Sequence, residues 1–188
     1  YSTIDAAYNF SPLQVLRFTN GDLASVESSN PLIAVEGLGG YIRNKMNMNT
    51  ITATLNYDMP WVKGLSLVGS IAYDYYHQKY KQFKNVAYVY NYDQAMNEYS
   101  KVMVPTVSSP SLNIEEKRSE SLTGNVRANY HNTFNSVHTI DAFLGFEGNK
   151  SSSNMLSGYR GNFPSGMIPE LPFGDSNTQT NNGTWSET

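Results

Sequence analysis

Cysteine is absent from all 188 residues, which excludes a disulfide framework and thiolate metal sites. Charge is sparse: Asp, Glu, Lys and Arg make up only 15% of the chain, well below the roughly 25% of ordinary soluble domains. Neither sign dominates. A net charge of −3 leaves no basic patch of the kind nucleic acid requires, so nucleic acid is not an expected partner. There is no run of about 18 apolar residues, hence no transmembrane helix. A β-barrel passes that test unseen, because its strands appear only as alternating segments of about ten residues. The signatures G-x-S-x-G, H-E-x-x-H, the P-loop and C-x-x-C are also missing, so no enzymatic activity and no cofactor are expected.

What replaces charge is tyrosine and small polar residues. There are 14 Tyr against 2 Trp, a balance that suits a β-rich secreted or outer-membrane protein. Residues 1–40 are heavily punctuated. Tyr8, Phe10, Leu13, Leu16 and Phe18 are interrupted by Pro12, Asn20-Gly21, Asn30-Pro31 and Gly37 to Gly40, the residues of turns and loops. Ser29 to Ala34 reads as an entry into a strand, and Tyr41 to Lys45 as the start of the first long one.

The periodic signal lies in two hairpins. From Thr50 to Asp58, Ile51, Ala53, Leu55 and Tyr57 alternate with Thr and Asn; from Leu65 to Tyr76, Leu65, Leu67, Gly69, Ile71, Tyr73 and Tyr75 alternate with smaller or polar residues. Pro60 and Gly64 in the intervening M-P-W-V-K-G mark a short turn. The second hairpin repeats the design. Leu122, Gly124, Val126, Ala128 and Tyr130 are followed, past a turn near Thr133 to Val137, by Ile140, Ala142, Leu144 and Phe146. Side chains alternate across a strand, so each hairpin has one apolar and one polar face.

In both hairpins the apolar alternation covers about ten residues beside the short turn, the span of a membrane strand. Beyond it the chain turns polar on both faces, through His77 to Lys81, Ile114 to Glu120 and Asn149 to Asn154. The loops at the far side are long: 85–113, with a helical spacing at Ala95, Met96, Tyr99, Val102 and Met103, and the Gly/Pro-rich tail 157–188. Tyr57, Trp61, Tyr130 and Phe134 near the turns, and Tyr73, Tyr75 and Phe146 about one membrane thickness away, fall where interfacial aromatic belts lie. The expectation is an all-β fold: an antiparallel section of about four strands and two hairpins in a large transmembrane barrel with long extracellular loops. Ile51, Leu55, Leu67, Ile71, Val126, Ile140 and Leu144 would face outer-membrane lipid. Asp74, Arg127, Asp141 and Glu147 would face a wet lumen. The competing expectation is a soluble secreted β-sandwich, a glycan-binding or adhesion module whose alternation faces a second sheet.

Residues 57–77, Y-D-M-P-W-V-K-G-L-S-L-V-G-S-I-A-Y-D-Y-Y-H, resemble the barrel hairpin of SusC/RagA-like TonB-linked outer-membrane transporters. Asn30-Pro31-Leu32-Ile33-Ala34, Leu144-Gly145-Phe146-Glu147 and Asn162-Phe163-Pro164 resemble further segments of that family in the same order, with Met59 and Phe146 as departures. The resemblance implies that residues 1–188 are an internal part of one transporter barrel domain of about 22 strands, with the plug domain and other strands outside this stretch. It further implies import of glycan oligomers or peptides across the outer membrane of a Gram-negative bacterium. The implied partners are a SusD-like surface lipoprotein and, through an upstream N-terminal region, the TonB complex.

Other constellations are weaker. Tyr88, Tyr90, Tyr92 and Tyr99 form the best recognition candidate for substrate or partner, since a tyrosine combines a flat apolar ring with a polar tip; the alternative is that they pack the loop. His131 and His138 flank one turn, but a zinc site wants three or four ligands, so no metal is expected. Gly37 to Gly40 reads as a turn, and Glu115-Glu116 beside Lys117-Arg118 as a solvated strand tip. Asp175 and Asn177 miss the EF-hand spacing. N-x-S/T at Asn9, Asn149 and Asn182 carries little information in an Asn-rich chain.

Overall fold

The computed structural model describes residues 11, 13–26, 30–105 and 107–188; Tyr8, Asn9, Phe10, Pro12 and Ser29, named above, lie outside them. The fold is all-β and antiparallel. Seven strands follow a four-residue helical turn α1, Leu32–Val35: β1 Gly40–Asp58, β2 Leu65–Lys84, β3 Tyr88–Asp93, β4 Glu98–Met103, β5 Ser111–Phe134, β6 His138–Gly161 and β7 Thr180–Glu187. One sheet has the order β1-β2-β5-β6-β7, and β3-β4 form a separate two-stranded sheet. Among the described residues no sheet closes on itself.

The four long strands have 19 to 24 residues, against the usual five or six. The polar stretches after Tyr76, before Ser121 and after Glu147 are continuations of the strands, which run to Lys84, from Ser111 and to Gly161. The main sheet has five strands rather than four, because the tail contains β7. Residues 95–103 are not helical. They form a hairpin turn and β4, paired with β3 in the register Tyr88↔Met103 to Asp93↔Glu98. Asp93 sets the turn, its Oδ1 accepting from the backbone N–H of Ala95 at 2.8 Å and of Met96 at 3.2 Å, an alternative to helix that Asp offers wherever a turn can form.

The chain divides into two compact units. The first comprises the described residues of 1–44, 80–115 and 157–181 and holds the buried side chains. Leu23, Ile33, Ala87, Val89 and Val104 form one cluster; Phe83, Leu112 and Phe163 form another, with Phe83 and Phe163 edge to face at 5.8 Å. Asn30 is buried at 2% exposure and fully satisfied. Its Nδ2 donates to the carbonyls of Leu16 and Ala24 at 2.7 and 2.8 Å, and its Oδ1 accepts from the Leu32 N–H at 2.9 Å. This amide makes Asn30-Pro31-Leu32 start a helical turn instead of a strand, because the side chain takes the donor that a strand neighbour would otherwise satisfy.

The second unit comprises 45–79, 116–156 and 182–188. It is sheet with little else, and among the described residues it contains no buried side chain. Its two turns are tightly determined. Asn135 and Ser136 both have positive φ, 52° and 57°, as a two-residue hairpin turn demands, and the Val137 N–H closes on the Phe134 carbonyl at 3.1 Å. Gly64 has φ 86° and sits so close to β5 that a Cβ there would lie 2.0 Å from the His131 carbonyl oxygen. The Gly64 carbonyl in turn accepts from the His131 N–H at 2.8 Å.

Candidate functional site

The second unit has two chemically distinct faces, and contacts across the strands sort them. Thr50 Oγ1 donates to Asp74 Oδ1 at 2.7 Å; Asn149 Nδ2 donates to Ser121 and Thr123 at 2.9 and 2.7 Å; Thr133 and Thr139 hydroxyls meet at 3.0 Å. His131 pairs with Asp141 on the same series of positions. These residues occupy the positions predicted to be polar, so four adjacent strands keep one register of alternation. Arg127 lies on this face too, its stem against Gly145, and Glu147 is exposed there. Phe143, 79% exposed, is the exception on this side. Its parity with Asp141 sets this bulky ring among the polar positions.

The opposite face carries Ile51, Leu55, Ile71, Val126, Ile140 and Leu144, each between 49% and 78% exposed, together with Phe146 at 73%; Leu67 is half-buried. Soluble monomers seldom expose a contiguous apolar patch above a few hundred Å². Here branched aliphatics from four neighbouring strands lie side by side without a covering layer among the described residues. At the turn end Trp61 is 71% exposed and stands 6.4 Å from Tyr57, with Phe134 and Val137 also exposed. The band from Leu65 to Tyr73 is about nine residues, roughly 30 Å of strand, or about 22 Å in height at a tilt of 40–45°. That is close to the roughly 25 Å apolar belt of outer-membrane barrels.

The tyrosine loop resolves differently. Tyr92 and Tyr99 are cross-strand partners with ring centroids 4.9 Å apart, and Phe18 sits 5.1 Å from Tyr99 and 6.3 Å from Tyr92. Tyr90 is half-buried and bridges backbone to Ala24, while Lys101 covers the Tyr88 ring at 3.9 Å. The rings thus clamp residues 16–25 onto the β3–β4 hairpin; one edge of Tyr88, Tyr92 and Tyr99 stays exposed at 40–43%.

The tail is anchored by polar contacts. Arg160 donates to Gln179 Oε1 and to the Pro172 and Gly174 carbonyls. The Asp175 carboxylate accepts the Asn177 N–H at 2.9 Å and faces the Asn162 amide; these bonds, the backbone one foremost, hold its carboxyl below the usual range. Among the described residues no group of three or more His, Asp and Glu is placed to hold a metal ion, and no helix is long and apolar enough to cross a membrane. Trp185, 66% exposed on β7, went unrecognised in the sequence; its only signal was an aromatic two residues from Gly183 and from Glu187.

The architecture defines a class: a long-stranded antiparallel sheet with one hydrogen-bonded polar face and one bare apolar face. A comparison with protein-family models finds no match for the chain, and a comparison with curated proteins likewise finds none.

Proposed function

We propose that the chain is a wall section of an outer-membrane β-barrel, part of a TonB-dependent active transporter of the SusC/RagA type. In this reading it helps to import glycan oligomers or peptides together with a SusD-like lipoprotein. The observation that carries the membrane part is the exposed aliphatic face spanning Ile51, Leu55, Ile71, Val126, Ile140 and Leu144, opposite a face whose polar side chains bond one another. In lipid the first face is solvated without cost, and on this reading the rest of a closed barrel would pair the two outer strands of the section; in water the same face is a liability. The transporter identity rests on the resemblance of residues 30–34, 57–77, 144–147 and 162–164.

Paired arginine substitutions in the full-length protein test this. Ile71→Arg places a charge on the lipid side, at a cost of about 2–4 kcal/mol near the bilayer midplane; Ser70→Arg points the other way and should be tolerated. Folding into lipid vesicles is the readout. Equal folding of the two variants, or a parent protein that is monodisperse without detergent, would refute the membrane reading.

A further inference from the structure

We propose that the second unit carries a saccharide site just beyond the end of its apolar band, built from Trp185, Glu120, Arg118 and Asn154 and fitted to the headgroup of a membrane glycolipid. The inference rests on the wall reading above for its choice of a lipid-borne sugar; the site itself rests on the geometry of β5, β6 and β7.

These strands form a concavity of about 310 Å³ lined by Glu116, Arg118, Glu120, Asn154, Leu156 and Trp185, with Ser152 and Ser153 completing the wall. That volume is at the lower end of small-ligand sites and accommodates a short saccharide. Its position follows from strand alternation. Glu116, Arg118 and Glu120 continue the series of Leu122 and Val126, and Asn154 and Leu156 continue that of Ile140 and Leu144. Glu187, two residues from Trp185, pairs with Lys150, which belongs to that same series, so Trp185 stands on the apolar side of the sheet.

The lining is of the kind that sugars use. The exposed indole offers a flat face to the C–H side of a pyranose ring, and the carboxylate, amide and hydroxyl groups match ring hydroxyls. Arg118 is already oriented, donating to Glu116 at 2.8 Å, and Glu116 also meets His77 at 2.8 Å. Two carboxylates against one guanidinium disfavour a bare phosphate, which seeks clustered cations, and favour a neutral, hydroxyl-rich ligand. Leu156, 64% exposed, lines the same concavity and joins it to the apolar band. An acyl chain lying along Leu122, Val126 and Leu144 would therefore place its sugar headgroup against Trp185.

The test uses the full-length protein in a sugar-free detergent and two probes: a neutral diglucosyl diacylglycerol, and the free disaccharide of its headgroup. Both should bind, the intact lipid more tightly. Trp185→Ala and Glu120→Gln should each raise Kd about tenfold or more for both probes, as loss of a central aromatic or polar anchor does. Trp185→Phe should retain most binding, and Trp61→Ala, at the other end of the sheet, should change nothing. Absence of binding by a protein that folds normally into vesicles would overturn the site while leaving the wall reading intact, and so would an unchanged Kd in Trp185→Ala. Free disaccharide bound as tightly as the intact glycolipid, by a protein soluble without detergent, would overturn the glycolipid assignment together with the wall reading.

Discussion

Gly64 is the position where a single methyl group should do most damage to the second unit. Its φ of 86° lies in a region that costs an L-residue roughly 1–2 kcal/mol. A Cβ there would meet the His131 carbonyl oxygen at 2.0 Å and its carbon at 2.9 Å. Both contacts are backbone atoms, so no rotamer change relieves them; the start of β2 must move away from the end of β5. That movement breaks the 2.8 Å bond from the His131 N–H to the Gly64 carbonyl, worth about 1 kcal/mol. Together the strain and the lost bond set a cost of about 3 kcal/mol for Gly64→Ala, more than a hundredfold in the folding equilibrium. Gly124 supplies the control: nothing lies within 4 Å of its Cβ position and its φ is ordinary, so Gly124→Ala should be neutral or stabilise by up to about 1 kcal/mol through reduced chain entropy. Urea midpoints of the full-length protein, measured in detergent with the slope checked for constancy, give both values. Similar midpoints for the two variants would refute the close approach of β2 and β5 at the turn.

Three further expectations concern the first unit. Asn30→Ala removes a 2%-exposed amide and takes the side-chain partner from the Ala24 carbonyl and the Leu32 N–H, while the Leu16 carbonyl keeps its bond from the Ala24 N–H; a loss of about 2–3 kcal/mol should appear as earlier proteolysis within residues 16–40. A double-mutant cycle of Tyr92→Ala and Tyr99→Ala should give a coupling of about 0.5–1.5 kcal/mol from the stacked pair; additive effects would mean the rings do not meet. The Asp175 carboxyl is held below its usual range by the Asn177 N–H and the Asn162 amide, so its contribution is fully present above the ordinary Asp pKa of about 3.9 and is lost as pH falls through the lower folded value. Limited proteolysis of segment 171–179 between pH 7 and 2.5 should therefore rise at the acid end in the parent. Asp175→Asn should show a flatter profile.

The two hairpins were legible because their alternation is strict and their turns carry the right residues: Gly64 for a positive φ, and Asn135-Ser136 for a turn needing two. The faces followed, and the side-chain bonds from Thr50 to Asp74 and from Asn149 to Ser121 and Thr123 bear that alternation out. That the strands run on past the apolar band was legible, but where they end was not. Past Tyr76 and before Ser121 both faces are polar, so no periodicity marks the ends, and backbone pairing with neighbours keeps the chain extended. β7 was hidden for a related reason: Thr180–Glu187 is mostly polar, with two Asn and a Gly, and its end pairs with β6 through the mutual bonds between Ser151 and Thr188. The β3–β4 hairpin was misread where residues 95–103 carry a helical spacing, because the Asp93 side chain captures the turn first. For the tyrosine loop the sequence left recognition and packing both open; the rings pack on Phe18 and hold the hairpin to residues 16–25, a partner that no local pattern encodes.

The central claim, that one face of the sheet meets lipid and the other water, is tested most directly by single cysteines placed in turn from Leu65 to Lys81 in the folded full-length protein. These 188 residues contain no native cysteine, and any elsewhere in the full-length protein is first replaced by serine. Reactivity with a membrane-impermeant maleimide should alternate between residues 65 and 75, low at Leu67 and Ile71 and high at Ser70 and Asp74. Toward Lys81 it should become high at every exposed position. Uniform labelling at Leu67, Ser70, Ile71 and Asp74 would contradict the account.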